Sequence, residues 1–199
     1  MSTTEEARLV ITARLATQEE FEPFGTVLEP RGEPLAHVYG DSMDVYDLGL
    51  HECDADTELI VSRYRYRGTR VQYLERHRQI TQCFIPLGGK PLLAVVARPD
   101  APLENGVPTL DEIHAFVIPG DKAVRLNRGT WHEVPIPLED DTCSIVTSHH
   151  GVTTGWGHLD ETGEIDKGQT DEEKRDVTER TGVVVEVDVP ASLLEGGTR

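Results

Sequence analysis

Cysteine is scarce and scattered. Cys53, Cys83 and Cys143 lie too far apart to be read as a disulfide framework or a paired-cysteine metal site, and buried, reduced thiols are expected. Positive charge is also short: Lys plus Arg number 19 against 36 Asp plus Glu, for a formal charge of −17. A field of that sign repels phosphates and anionic membranes, so neither nucleic acid nor membrane is an expected partner. Lysine occurs only at positions 90, 122, 167 and 174, a composition that suits a protein kept soluble in high salt, where such repulsion is screened. No run approaches the ~18 consecutive apolar residues of a membrane span. The opening MSTTEEARLV carries acids where a secretory signal needs a basic start, and a cytoplasmic protein is expected. GxSxG, a P-loop, a strand-linked GxGxxG and HExxH are all missing. No organic cofactor is expected.

What is present is a chain of 199 residues, 37% hydrophobic, enough for one domain with a real core. Thr17-Gln-Glu-Glu20 has the form of a capping box and predicts a short helix carrying Phe21 and Phe24, ended at Gly25. Short strands broken by Gly, Pro, Asn and Asp follow. The clearest are Leu59–Tyr66, Thr81–Leu87, Leu92–Ala97, Ile113–Ile118, Ala123–Leu126 and Cys143–Thr147. Such a series predicts an all-β barrel or sandwich. After residue 150 the texture changes. Five glycines between Gly151 and Gly168 predict a loop or lid. Thr170-Asp-Glu-Glu173 predicts a second capped helix reaching Thr181, and Val183–Val189 a last strand. The expected organisation is an N-terminal segment 1–15, a barrel domain 16–150, and an appended 151–199.

Two segments carry chemistry. Glu75 and His77 are two apart, so on a strand they share a face. Gln82 lies five beyond, and His132 arrives about fifty residues later, three after Gly129. This spacing resembles the two cupin motifs, in which two His, a Glu and a distant His surround a divalent metal. Gly89 and Gly129 match the motif glycines. Glu75 stands where the first His would be, and Gln82 where the Glu would be. The resemblance implies a cupin-type β-barrel, a double-stranded β-helix or jelly roll with a few short helices. Glu75, His77, Gln82 and His132 would be the ligands of one Mn, Ni, Zn or Fe ion.

Four stretches narrow the match: ATQEEFEPFGTV at 16–27, LERH at 74–77, QCFIP at 82–86 and GTWH at 129–132. In this order they resemble the ureidoglycolate lyase family, formerly ureidoglycolate hydrolase, over roughly residues 15–150. The resemblance implies release of urea from ureidoglycolate to leave glyoxylate, late in purine catabolism through allantoin. It also implies a small anionic substrate, a homodimer, and catalytic roles for Glu75, His77 and His132. Proton transfers by two imidazoles suit that reaction, since imidazole titrates near neutral pH. The chain departs from the family pattern at 44–46, at 78–81 and at 148–150, where substrate would be held.

Arg63, Arg65 and Arg67 alternate on one strand and share a face. Turned inward, Arg63 and Arg65 would clamp a carboxylate; turned outward, they would pair with surface acids. Trp131 would stack on a ligand or pack the barrel. Of the adjacent His149 and His150 only one can face the mouth, and His149 is the candidate. His37, His51, His114 and His158 read as surface or supporting residues. Two other readings stay open. One is another metal-dependent cupin isomerase, lyase or dioxygenase acting on a small hydroxy or keto acid. The other is a barrel that only binds a small acid.

Overall fold

The computed structural model describes residues 7–152, 162–166 and 171–194. In chain order the elements that position the site are β1 (Ala7–Thr12), α1 (Gln18–Phe21), β2 (Gly25–Leu28), β3 (Thr57–Tyr64), β4 (Tyr73–His77), β5 (Cys83–Leu87), β6 (Gly89–Ala97), β7 (His114–Gly120), β8 (Ala123–Leu126), β9 (Trp131–His132), β10 (Thr142–His149), β11 (Glu172–Asp176), α2 (Val177–Thr181) and β12 (Val183–Asp188). One sheet runs β11-β4-β9-β6-β7 and ends on Arg14–Leu15; a second runs β2-β8-β5-β10-β3. They face each other as a barrel, as the strand pattern predicts, and in the two-sheet jelly-roll arrangement that the cupin resemblance implies.

Strand β6 divides two cores. Its run Leu92–Ala97 is buried on both faces, which is why it reads as continuous apolar sequence rather than alternation. Leu92, Ala94 and Val96 pack with Phe21, Phe84, Phe116 and Leu126 inside the barrel. Leu93, Val95 and Ala97 pack with Leu74, Trp131, Val185 and Val187 on the other side. Gly120 meets Gly89 where the ends of β6 and β7 cross. A Cβ on Gly120 would lie 2.0 Å from the Gly89 carbonyl, so only glycine fits.

Helix α1 is capped as its sequence predicts, with the Thr17 hydroxyl accepting from the Glu20 amide. The second capping box does not start a helix. Thr170 lies outside the described residues, and Glu172–Asp176 is a strand paired antiparallel with β4. Helix α2 begins only at Val177, and the Asp176 carboxylate caps it by accepting from the Glu179 amide at 2.9 Å. Pairing with an open strand edge and ion pairs on both faces outweigh a local capping signal here. Strand β12 agrees with the expected 183–189. It pairs in parallel with β1, Ala7 opposite Val183 and Thr12 opposite Asp188, and on its other edge with Arg70–Val71.

Candidate active site

Strand β4 alternates as Glu75 and His77 require. Leu74 and Arg76 turn to the outer core, where the Arg76 guanidinium lies 4.1 Å over the Trp131 ring. Glu75 and His77 turn into the barrel and line a cavity there. His132 stands directly opposite Glu75 in the β9·β4 pairing. The turn before it is held tightly. Gly129 takes φ +79°, a conformation glycine adopts without strain, and its amide donates to the His77 carbonyl at 2.6 Å. The Thr130 hydroxyl donates to the Phe24 carbonyl at 2.9 Å. Residues far apart in sequence thus meet: ligand atoms of Glu75, His77 and His132 all lie within 4.8 Å of one another.

The electrostatics of this group follow from burial. The Nδ1 of His132 lies 3.1 Å from the Thr130 carbonyl, which can only accept, so Nδ1 carries the proton of the neutral ring. Its Nε2 then presents a lone pair. That atom is 3.4 Å from Glu75 Oε1 yet makes no hydrogen bond. His77 Nε2 lies 4.0 Å from the same oxygen. Burial opposes ionisation of Glu75, but contact with His132 and the charges of His132, His77 and Lys174 outweigh it. The carboxyl is held down at about 2. Burial lowers His77 to about 4, helped by repulsion from His132 and opposed by Glu75. At neutral pH the centre holds a carboxylate and a neutral His77.

A buried carboxylate with two imidazoles converging on one of its oxygens fits a proton or a cation. Two imidazole nitrogens and one carboxylate oxygen are a donor set that suits a divalent transition metal. The Thr130 carbonyl supplies the outer hydrogen bond that fixes a ligating imidazole. Gln82 lines the same cavity, held by its carbonyl, which accepts from Leu126 N at 2.7 Å. Its side-chain Oε1 is buried without a hydrogen bond among the described residues, as are His77 Nδ1 and Ser148 Oγ. Polar atoms left bare in a cavity are the usual mark of a ligand site.

Other candidates lie elsewhere. On β3, Ile60, Ser62 and Tyr64 face the cavity, so Arg63 and Arg65 face outward and are exposed. Arg63 is 68% exposed and pairs with Asp141 at 2.6 Å. Arg63 and Arg65 therefore form no inward clamp. Trp131 is fully buried in the outer core, on the far side of β9 from the cavity, and cannot stack on a ligand there. On β10, Val146 and Ser148 face inward, so His149 turns away. His150 pairs with Glu58 at the surface. His158 lies outside the described residues.

A profile of the ureidoglycolate lyase family matches residues 8–163. The chain belongs to the ureidoglycolate lyase family. Among curated relatives, ureidoglycolate lyase of Azotobacter vinelandii is 28% identical over 148 residues, 71% of this chain and 86% of that protein. The enzyme of Pseudomonas fluorescens is 33% identical over 147 residues, 71% and 85%. That of Brucella anthropi is 32% identical over 142 residues, 68% and 80%. Among solved structures, RmlC from Streptococcus suis covers 72% of this chain and 67% of its own, at 13% identity and a TM-score of 0.30, a likeness too distant to argue from.

The sequence reading missed three contributors. Tyr64 and Ser148 reach the cavity by the same alternation that turns Arg63 and His149 away. Lys174 comes from β11 and places Nζ 3.9 Å from Glu75 Oε2. The alternation of β10 puts Ser148 on the face of Val146, two residues before it, but does not say which face is inward. The polar run Glu172–Asp176 has no comparable apolar marker.

Proposed function

We propose that the protein is a ureidoglycolate lyase, releasing urea from ureidoglycolate to leave glyoxylate. The observation that carries the reading is the buried His132 Nε2 beside the Glu75 carboxylate, with Glu75 and His77 lining the cavity, in a chain of this family. Ureidoglycolate is an adduct of urea on an aldehyde carbon. His132 Nε2 takes the proton of the hydroxyl, the C=O bond forms, and the C–N bond breaks. The same imidazole then returns the proton to the departing nitrogen, so one proton moves from oxygen to nitrogen and nothing else is consumed. Glu75 stabilises the transient imidazolium from 3.4 Å. The neutral His77 offers a hydrogen bond without repelling that charge. Gln82 and Ser148, whose buried polar atoms lack partners, hold the urea end. Ile60, Phe84 and Val146 exclude water from the rest of the cavity.

Glu75, His77 and His132, with Gln82 as a neutral fourth donor, would hold a divalent Mn, Ni, Zn or Fe ion. When bound, such an ion supplies a Lewis acid that withdraws charge from the hydroxyl and carboxylate oxygens of the substrate. The test is to incubate purified protein with ureidoglycolate, as isolated, chelated, and supplied with each metal, and to follow glyoxylate and urea. Equimolar products are expected, with a loss of about 10²–10⁴ in kcat/KM for His132→Ala. No glyoxylate under any metal condition would overturn the reading.

A further inference from the structure

The match to the family stops at residue 163, and the strand that pairs with β4 opposite Glu75 lies beyond it. We propose that Lys174 on that strand is a positioning residue of the active site, holding Glu75 by one oxygen so that the other faces the imidazoles. The inference rests on the lyase reading for its kinetic consequence and on geometry for the rest. Strands β11 and β4 pair with Lys174 directly opposite Glu75, so the two side chains share the inner face. Lys174 Nζ lies 3.9 Å from Oε2, while Oε1 of the same carboxylate points at His132 and His77. The lysine side chain is only 14% exposed, with its ammonium 4.8 Å from the centroid of the Tyr73 ring. Behind it, Lys174 exchanges backbone hydrogen bonds with Ile165 at 3.0 and 3.1 Å.

The register that sets this pair is locked from the other face. Glu173 accepts from Arg76 at 2.9 Å and from Arg78 at 2.7 Å, and Arg175 donates to the Ile165 carbonyl at 2.6 Å. A slip of one residue would turn Lys174 outward and break all three contacts. A carboxylate on a short side chain can rotate. Without a cation on Oε2, either oxygen can turn from the imidazoles, and the imidazolium formed during turnover loses its fixed counter-charge. Among the described residues, none that lines the cavity is a lysine or an arginine, so none of them replaces this cation.

The test compares Lys174→Met and Lys174→Arg in the full chain, with Lys174→Gln standing in for the first if that variant does not fold. A positioning role predicts a kcat ten- to a hundredfold lower in the neutral variant, a KM within about threefold of wild type, and recovery of most of kcat by arginine. A kcat within twofold of wild type, or an arginine variant as slow as methionine, would overturn the assignment. The pair is also read without substrate. In a cycle of Lys174→Met, Glu75→Gln and the double variant, the unfolding equilibrium constants should depart from additivity by at least about fivefold. Additivity within twofold would overturn it. A wild type that makes no glyoxylate but shows the coupling would sink the lyase reading alone.

Discussion

Replacing Glu75 by Gln keeps the shape of the side chain and removes its charge, so the cost can be worked from the surroundings. The carboxyl is held at about 2 against its ordinary 4.5. At about 1.4 kcal/mol per pH unit the shift corresponds to about 3 kcal/mol, an upper bound at neutral pH, where His77 no longer carries the charge that helps hold the carboxyl down. A Coulomb estimate agrees in size: a unit charge pair near the 3.9 Å of Lys174 and Glu75 is worth on the order of 4 kcal/mol at an effective dielectric of about 20. Part of that is spent on desolvation. Glu75→Gln should thus lower stability by up to about 3 kcal/mol at pH 7. For a domain of this size that moves the urea midpoint by roughly 1–2 M. The sign of the pH dependence follows. A carboxyl depressed in the folded state stabilises above its unfolded value, and that stability is lost as pH falls from 4.5 toward 2. The gap between wild type and variant should therefore shrink to less than about half by pH 3. Urea unfolding followed by tryptophan fluorescence at pH 7, 5, 4 and 3 reads it directly. Equal midpoints at pH 7, or a gap that ignores pH, would refute the electrostatic account of Glu75.

Because Arg63 and Arg65 face outward, the double variant Arg63→Ala, Arg65→Ala should keep kcat/KM for ureidoglycolate within about twofold. A tenfold rise in KM would mean that they reach the substrate after all. On β10 the inward and outward positions should separate as sharply. Ser148→Val should raise KM at least about fivefold by burying a methyl where a ligand hydrogen bond is made, while His149→Ala leaves kinetics unchanged. The reverse pattern would show that the face assignment is wrong.

Much of the fold was legible because several strands carry their own signature. The all-apolar Leu92–Ala97 reads as a strand covered on both sides, and the turn glycines bracket the motifs. Glu75, His77 and His132 were legible for a simpler reason, since two-residue spacing and a glycine turn put polar groups on one inner face. Parity failed elsewhere. On β3, Leu59 and Val61 are as apolar as Ile60, so hydrophobicity does not say which set faces the cavity, and Arg63 was free to be read either way. The same ambiguity holds for Ile145 and Val146 on β10. Strand β11 was illegible because Glu-Glu-Lys-Arg-Asp has no intrinsic preference for a strand. Its conformation comes from β4 and from Arg76 and Arg78, partners about a hundred positions away.

The parallel pairing of the first and last strands has a consequence for how the protein is made. During synthesis β1 has no partner until β12 has left the ribosome, since β12 is what holds it in the sheet. Ala13, Val71 and Trp131 consequently await Val185 and Val187 to close the outer core. A nascent chain stalled shortly before residue 183 would expose that apolar wall, and such unfinished surfaces are where aggregation starts. The strand Val183–Asp188 thus acts as the latch on the outer core built before it.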